Sequence, residues 1–221
     1  MKIYGISGLG ADERVFDFLD LPCEFIYLPW LDPLEDESLA AYAKRLAEGI
    51  DQESEFGLLG LSFGGLVAVE ISKLVHPKIT VLISSVETSA DLPRFFRTFK
   101  WLARILPVRF FKPPNRFIRY LFGTENRTLL NRILEDTDPN FAKWAVNELL
   151  NWKHVERLNF TIKIHGTKDK VLPPRPDSRT ILIPNGEHFM IVDRSREVSD
   201  AMHEVLGTTE AGSYNTGRSY S

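Results

Sequence analysis

Phe56-Gly57-Leu58-Leu59-Gly60-Leu61, followed at once by Ser62-Phe63-Gly64, decides how this chain folds. The first six residues form an apolar run of strand length, and Leu66 to Val75 carries on as an apolar helix. Between them lies G-x-S-x-G, a pattern that needs a sharp strand-to-helix turn. Glycines two before and two after the serine leave room for backbone that would otherwise clash, so the Ser62 hydroxyl is pushed out at the carboxyl end of a sheet. The same turn sets Ser62 at a helix N-terminus, where free N–H groups favour developing negative charge.

Upstream, Lys2 to Ser7 and Glu24 to Leu28 read as strands. Leu39, Ala43, Leu46 and Ile50 recur at helical spacing within 35–50, and Glu35, Asp36 and Glu37 are expected at the positive end of that helix. Downstream, Ile79 to Ser85 is a further β-branched strand. Alternation of short apolar runs with helical patterns is the mark of βαβ units and a parallel sheet. It stops over 87–155, where prolines at 93, 107, 113, 114 and 139 cut an aromatic, basic segment into short helices. Strand-like runs return at Phe160 to His165 and Thr180 to Ile183, and a final helix is expected from Asp193 to Leu206. The expected architecture is α/β: a mostly parallel sheet of about six strands with helices on both faces, its core in 1–86 and 156–206, an insertion at 87–155 and a disordered tail at 207–221.

A serine hydroxyl becomes a nucleophile only when a base takes its proton and a carboxylate holds that base. His188, in Asn185-Gly186-Glu187-His188-Phe189 between the last strand and the last helix, reaches the same sheet edge as Ser62 if that strand is parallel. His76, His154 and His203 are better read as capping, insertion and helix-surface residues, and His165 as support. The carboxylate is Asp169 in His165-Gly166-Thr167-Lys168-Asp169, with Asp193, Glu187 and Glu87 as fallbacks. Two backbone N–H groups must also face the oxyanion. Phe63 supplies one, and Leu9 in Ser7-Gly8-Leu9-Gly10 the other; read alone, that loop is equally a turn capped by Asp12.

These motifs, in the order Ser, Asp, His, resemble the α/β-hydrolase superfamily over residues 1–206. The resemblance implies that fold, a Ser/His/acid mechanism, and a helical lid formed by the insertion ahead of the acid-bearing strand. Gly8-Leu9-Gly10-Ala11-Asp12-Glu13-Arg14-Val15-Phe16, with Trp144, Asn147, Glu148 and Trp152, is similar to a compact, carboxylesterase-like subgroup of bacterial serine hydrolases, and that likeness supplies no substrate. Two departures stand out. Many relatives have His-Gly where this chain has Ser7-Gly8, so the supporting hydrogen bonds of the oxyanion loop must differ. The chain also begins at what is usually the third strand, so the sheet is expected to lack the first hairpin.

Composition narrows the partners. A net charge of −3 gives no overall pull toward nucleic acid. A single cysteine, Cys23, leaves no intramolecular disulfide and argues against a structural zinc site, and no metal or organic cofactor is expected. The strand-like start argues against a signal peptide, and no run is long enough to span a bilayer, so a cytoplasmic protein is expected. From Arg94 to Arg132 ten basic residues face one acid, Glu125, a local +9 that leaves −12 elsewhere. Phe95, Phe99, Leu102 and Leu106 share a helical face there, with Arg97, Lys100 and Arg104 off it. That face is either a lid over the site with a solvated outer surface, or a contact for an anionic partner: a membrane surface or a substrate bearing phosphate or carboxylate. Trp144 and Trp152, eight apart, either line an acyl pocket or pack as core. The expected reaction is cleavage of a carboxylic ester or thioester with an apolar acyl portion. An acyltransferase, a C–C hydrolase or a non-catalytic binding module using the basic insertion are the alternatives.

Overall fold

In the computed structural model the described residues are 1–94, 96, 107 and 115–210. The basic face at 95–106 and the tail from 211 lie outside them. Six strands, β1 (Lys2–Ile6), β2 (Glu24–Tyr27), β3 (Phe56–Leu61), β4 (Ile79–Ile83), β5 (Thr161–Gly166) and β6 (Thr180–Ile183), form one sheet in the order β2-β1-β3-β4-β5-β6. All five pairings are parallel. The helices are α1 (Leu39–Leu46), α2 (Phe63–Val75), α3 (Asn115–Phe122), α4 (Arg127–Asp136), α5 (Pro139–Asn151), α6 (Met190–Asp193) and α7 (Ser195–Glu210).

A sheet with helices on both faces buries both sides of its strands, which is why β3 and β4 read as unbroken apolar runs. Alternate residues divide between two cores. Tyr4, Ile6, Leu58 and Leu82 pack with Tyr42, Leu66 and Ile71 from α1 and α2, and with Phe141 and Ala145 from α5. Ile3, Leu59, Val81 and Ile164 pack with Met190, Val198, Met202 and Val205 from α6 and α7. Strand β5 breaks the apolar rule on one side. Thr161, Lys163 and His165 are buried there, and Lys163 Nζ donates to Asp177 Oδ2 at 2.9 Å.

The element ends differ from expectation for identifiable reasons. Helix α1 starts at Leu39, with the Ser38 hydroxyl accepting from Ala41 N–H. Glu37 instead folds back onto Leu34 N–H and Arg45, so the acidic trio is not the helix's first turn. The final helix is two: α6 ends at Asp193, and α7 runs past Gly207 to Glu210, because one helical glycine costs only about 1 kcal/mol and Thr208 and Thr209 do not break a helix.

Chain order reverses at β1: β2 leaves it on one side and β3 returns on the other. The carboxyl-end loops of β1 and β3 therefore diverge around a crevice, the position where open parallel sheets place their ligands.

Candidate active site

Leu61 ends β3 and Phe63 begins α2, leaving Ser62 alone to make the turn at φ 51° and ψ −119°. That is a costly conformation for a residue with a Cβ, and the surroundings hold it. Ser62 N–H donates to Ile83 C=O at 2.9 Å, and Ser62 C=O accepts from Ser85 Oγ at 2.6 Å and Gly65 N–H at 3.0 Å. A Cβ on Gly64 would fall onto the carbonyl oxygens of Ile6 and Ser7, and one on Gly60 onto the backbone of Gly65. Only glycine lets the three segments close up this tightly.

Ser62 Oγ lies 2.9 Å from His188 Nε2, and His188 Nδ1 lies 2.8 Å from Asp169 Oδ2. His188 arrives on the loop after β6, and Asp169 on the loop after β5. Both are buried, while Ser62 is partly exposed. Asp169 Oδ1 accepts from Val171 and Leu172 N–H, each at 2.9 Å. Burial alone would push this carboxyl up. Attraction to the His188 ring whenever that ring is protonated, and the hydrogen bonds from His165, His188 and Leu172 N–H, outweigh burial and hold it well below the usual carboxylate range. An ionised carboxylate only accepts, so His188 Nδ1 carries the hydrogen and Nε2 presents its lone pair to the serine.

The fallback acids are engaged elsewhere. Glu87 is fully buried and pairs with Arg157 and Arg179. Glu187 pairs with Lys170, and Asp193 accepts from Thr124 Oγ1 and the N–H groups of Glu125 and Asn126. Of the other histidines, His76 ends α2 in the left-handed region and His203 on α7 faces Asp20 at 3.3 Å. His165 has the supporting role: its Nε2 is 2.6 Å from Leu172 C=O and 3.3 Å from Asp169 Oδ2.

The loop after β1 closes as a turn in which Ala11 N–H donates to Gly8 C=O at 2.9 Å, with Gly10 at φ +74°. A Cβ on Gly8 would be 3.3 Å from Ser62 Cβ, so this loop lies against the nucleophile. Among the described residues no carbonyl accepts from Leu9 N–H, and Phe63 N–H is the unpaired first donor of α2.

Both tryptophans make packing contacts, Trp152 as a buried residue and Trp144 as a half-buried one beside Phe63 of the elbow. Trp144 packs against Tyr42 and Phe141 at a tilt and edge-on to Phe63, and donates Nε1–H to Glu37 C=O. Trp152 is no partner on that face, because α5 stops at Asn151; it is buried and donates to Glu70 Oε1 at 2.8 Å. Glu148, of the same sequence signature, accepts from Leu39 N–H at 2.7 Å, so these residues dock α5 onto the start of α1. The insertion also reaches the triad: the Phe122 ring stands edge-on to His188 at 4.9 Å.

Among the described residues no cluster of three or more His, Cys, Asp or Glu could hold a metal ion, and no helix is long and apolar enough to cross a membrane.

Residues 7–201 match the alpha/beta hydrolase family. Solved structures similar to this one include a bromoperoxidase from Bacillus anthracis, at 17% identity over 93% of this chain and 91% of that one, with a TM-score of 0.71. A thermophilic esterase from Thermogutta terrifontis is 16% identical over 95% and 90% of the two chains, with a TM-score of 0.71. MenH from S. aureus is 14% identical over 95% and 94%, with a TM-score of 0.70. At such identities the likeness extends to the fold and not to the reaction. No curated protein sequence is matched.

Proposed function

The chain belongs to the α/β hydrolase family, and from that premise we propose that it is a serine hydrolase cleaving a carboxylic ester or thioester through an acyl-enzyme on Ser62. The observation that carries this reading is the unbroken relay from Ser62 Oγ to His188 Nε2 and from His188 Nδ1 to Asp169 Oδ2, at 2.9 and 2.8 Å. Both bonds are within the range needed for proton transfer and for orienting the base.

In the proposed cycle Ser62 Oγ attacks the acyl carbon as its proton passes to His188 Nε2. The imidazolium is stabilised by ionised Asp169, and the tetrahedral oxyanion sits between Leu9 and Phe63 N–H. Collapse breaks the bond to the alcohol or thiol, which takes the proton from His188. Water then attacks the acyl-enzyme by the same route in reverse and frees Ser62. The half-buried Trp144, edge-on to Phe63 beside the elbow, favours an acyl group with an apolar portion.

Hydrolysis of p-nitrophenyl acetate, butyrate and octanoate tests the proposal, with Ser62→Ala and His188→Ala as controls and folding checked by circular dichroism. Turnover abolished in both variants is the expected outcome. Activity surviving in Ser62→Ala overturns the mechanism. Well-folded wild type that neither turns over an ester nor reacts with a fluorophosphonate at Ser62 favours a binding module.

A further inference from the structure

The Ser7-Gly8 pair raises the question of what holds the oxyanion loop. Ser7 is fully buried at the end of β1, and its Oγ lies 2.7 Å from Ala11 C=O, across the turn it introduces. The same carbonyl accepts from Trp30 Nε1 at 3.0 Å. Ser7 Oγ is also 3.1 Å from Tyr27 Oη. A serine has one hydrogen, and here it goes to Ala11, so Tyr27 is the donor in that second bond. Burial, partly opposed by the Ser7 hydrogen bond, pushes the Tyr27 phenol up to about 12, so it remains a donor through neutral and alkaline pH. The relay runs from Tyr27 O–H to Ser7 Oγ, and from Ser7 O–H to the Ala11 carbonyl, where Trp30 N–H joins it.

Tyr27 ends β2 and Trp30 follows three residues later; β2 is the neighbour of β1, with Tyr27 in register with Gly5. Thr137 Oγ1 lies 3.2 Å from Gly10 C=O, but its one hydrogen has the closer acceptor in Ile133 C=O at 2.7 Å, so the Ala11 carbonyl is where the turn is held by donors. A four-residue turn containing two glycines, one of them at positive φ, has a loosely determined orientation by itself. The two donors that converge on the Ala11 carbonyl, from Ser7 and Trp30, remove that freedom and fix where Leu9 N–H, which has no backbone acceptor among the described residues, points beside Ser62.

We infer that Ser7, Tyr27 and Trp30 are positioning residues for the reaction: they aim Leu9 N–H at the oxyanion without touching substrate. The inference rests on the serine-hydrolase reading above. It assigns to a hydroxyl-phenol-indole set the support that the His-Gly pair of many relatives cannot give this chain.

The test uses the full chain and four variants, Ser7→Ala, Ser7→Thr, Tyr27→Phe and Trp30→Phe, assayed on p-nitrophenyl butyrate. Misaiming an oxyanion donor weakens only transition-state contacts. Ser7→Ala is therefore expected to lower kcat about 10- to 100-fold, with KM within about twofold and the apparent pKa of the kcat/KM profile unmoved. Ser7→Thr keeps the hydroxyl and recovers most of the loss, while Tyr27→Phe and Trp30→Phe lose about 3- to 10-fold each. Binding of a trifluoromethyl ketone, whose adduct places an oxyanion in the same spot, weakens in parallel with kcat. A purely structural role predicts a lower melting temperature with kcat per folded molecule retained, and that result in Ser7→Ala and Trp30→Phe overturns the inference. Fluorophosphonate labelling of wild type, lost in Ser62→Ala, separates the two levels: without it the hydrolase reading falls and takes this role with it, whereas with it only the positioning role is at stake.

Discussion

His165 and His188 approach the same oxygen, Asp169 Oδ2, at 3.3 and 2.8 Å. His188 uses Nδ1 and His165 uses Nε2, which is mainly engaged with Leu172 C=O at 2.6 Å. Leu172 N–H in turn donates to Asp169 Oδ1, so His165 closes a ring that fixes the acid loop.

Asp169→Asn should leave the backbone in place but present an amide donor where His188 needs an acceptor, favouring the wrong tautomer. A loss in kcat of about 10⁴-fold is expected, measured by ester hydrolysis at pH 7.5. A loss under tenfold would show that another group holds His188.

The same carboxyl gives stability a predictable pH dependence. Its folded value lies below its ordinary value of 3.8, so the native state is favoured above the unfolded value and that advantage fades as pH falls through about 4 toward the depressed folded value. Urea unfolding between pH 6 and 3 should show wild type losing stability more steeply than Asp169→Asn. Equal slopes would place the acid sensitivity elsewhere.

His165→Ala removes the donor to Leu172 C=O and opens a gap beside a buried carboxylate. We expect about 2 kcal/mol of destabilisation and about a tenfold fall in kcat, less than any triad variant. Denaturant midpoints and steady-state kinetics on one preparation distinguish this from an effect on folding alone.

Glu87, fully buried between Arg157, Arg179 and Leu158 N–H, is the opposite case. Glu87→Gln leaves Arg179 without its countercharge and Arg157 with Asp91 and Asp177 alone, although both guanidinium groups reach solvent in part. About 2–3 kcal/mol of stability should go, with kcat of the folded fraction unchanged. A selective loss of activity would reinstate Glu87 as an acid for His188.

Trp152→Phe tests the packing assignment. Losing the indole N–H on Glu70 and part of the ring volume should cost about 1–3 kcal/mol in urea unfolding. The ranking of acetate, butyrate and octanoate esters should stay as in wild type; a changed ranking would return Trp152 to the acyl pocket.

The strands and the triad were legible because their signals are local. Strand-like runs mark β3 to β6; Ser62 follows β3 at once, and Asp169 and His188 lie in the loops that leave β5 and β6. Boundaries were harder where tertiary contacts decide them. Glu37 left the expected helix for Arg45, and α2 took in Gly64 and Gly65, where the Ile6 and Ser7 carbonyls and the Ser85 side chain leave no room for a Cβ. The helical period linking Trp144 to Trp152 was extended one residue past the helix end. Least legible was the support of the oxyanion loop, since Ser7, Tyr27 and Trp30 meet only after β1 and β2 are assembled.

Ser62 and its base stand 126 residues apart in sequence, joined through a sheet in which every pairing is parallel and the base follows the edge strand β6. Such contacts form late, because long loops must close before any parallel pairing is rewarded. A chain emerging from the ribosome would carry its serine elbow long before it could carry an activated serine. On the proposed mechanism, reactivity at Ser62 would report that β6 and the loop carrying His188 are in place, and would be missing from forms of the chain that lack them.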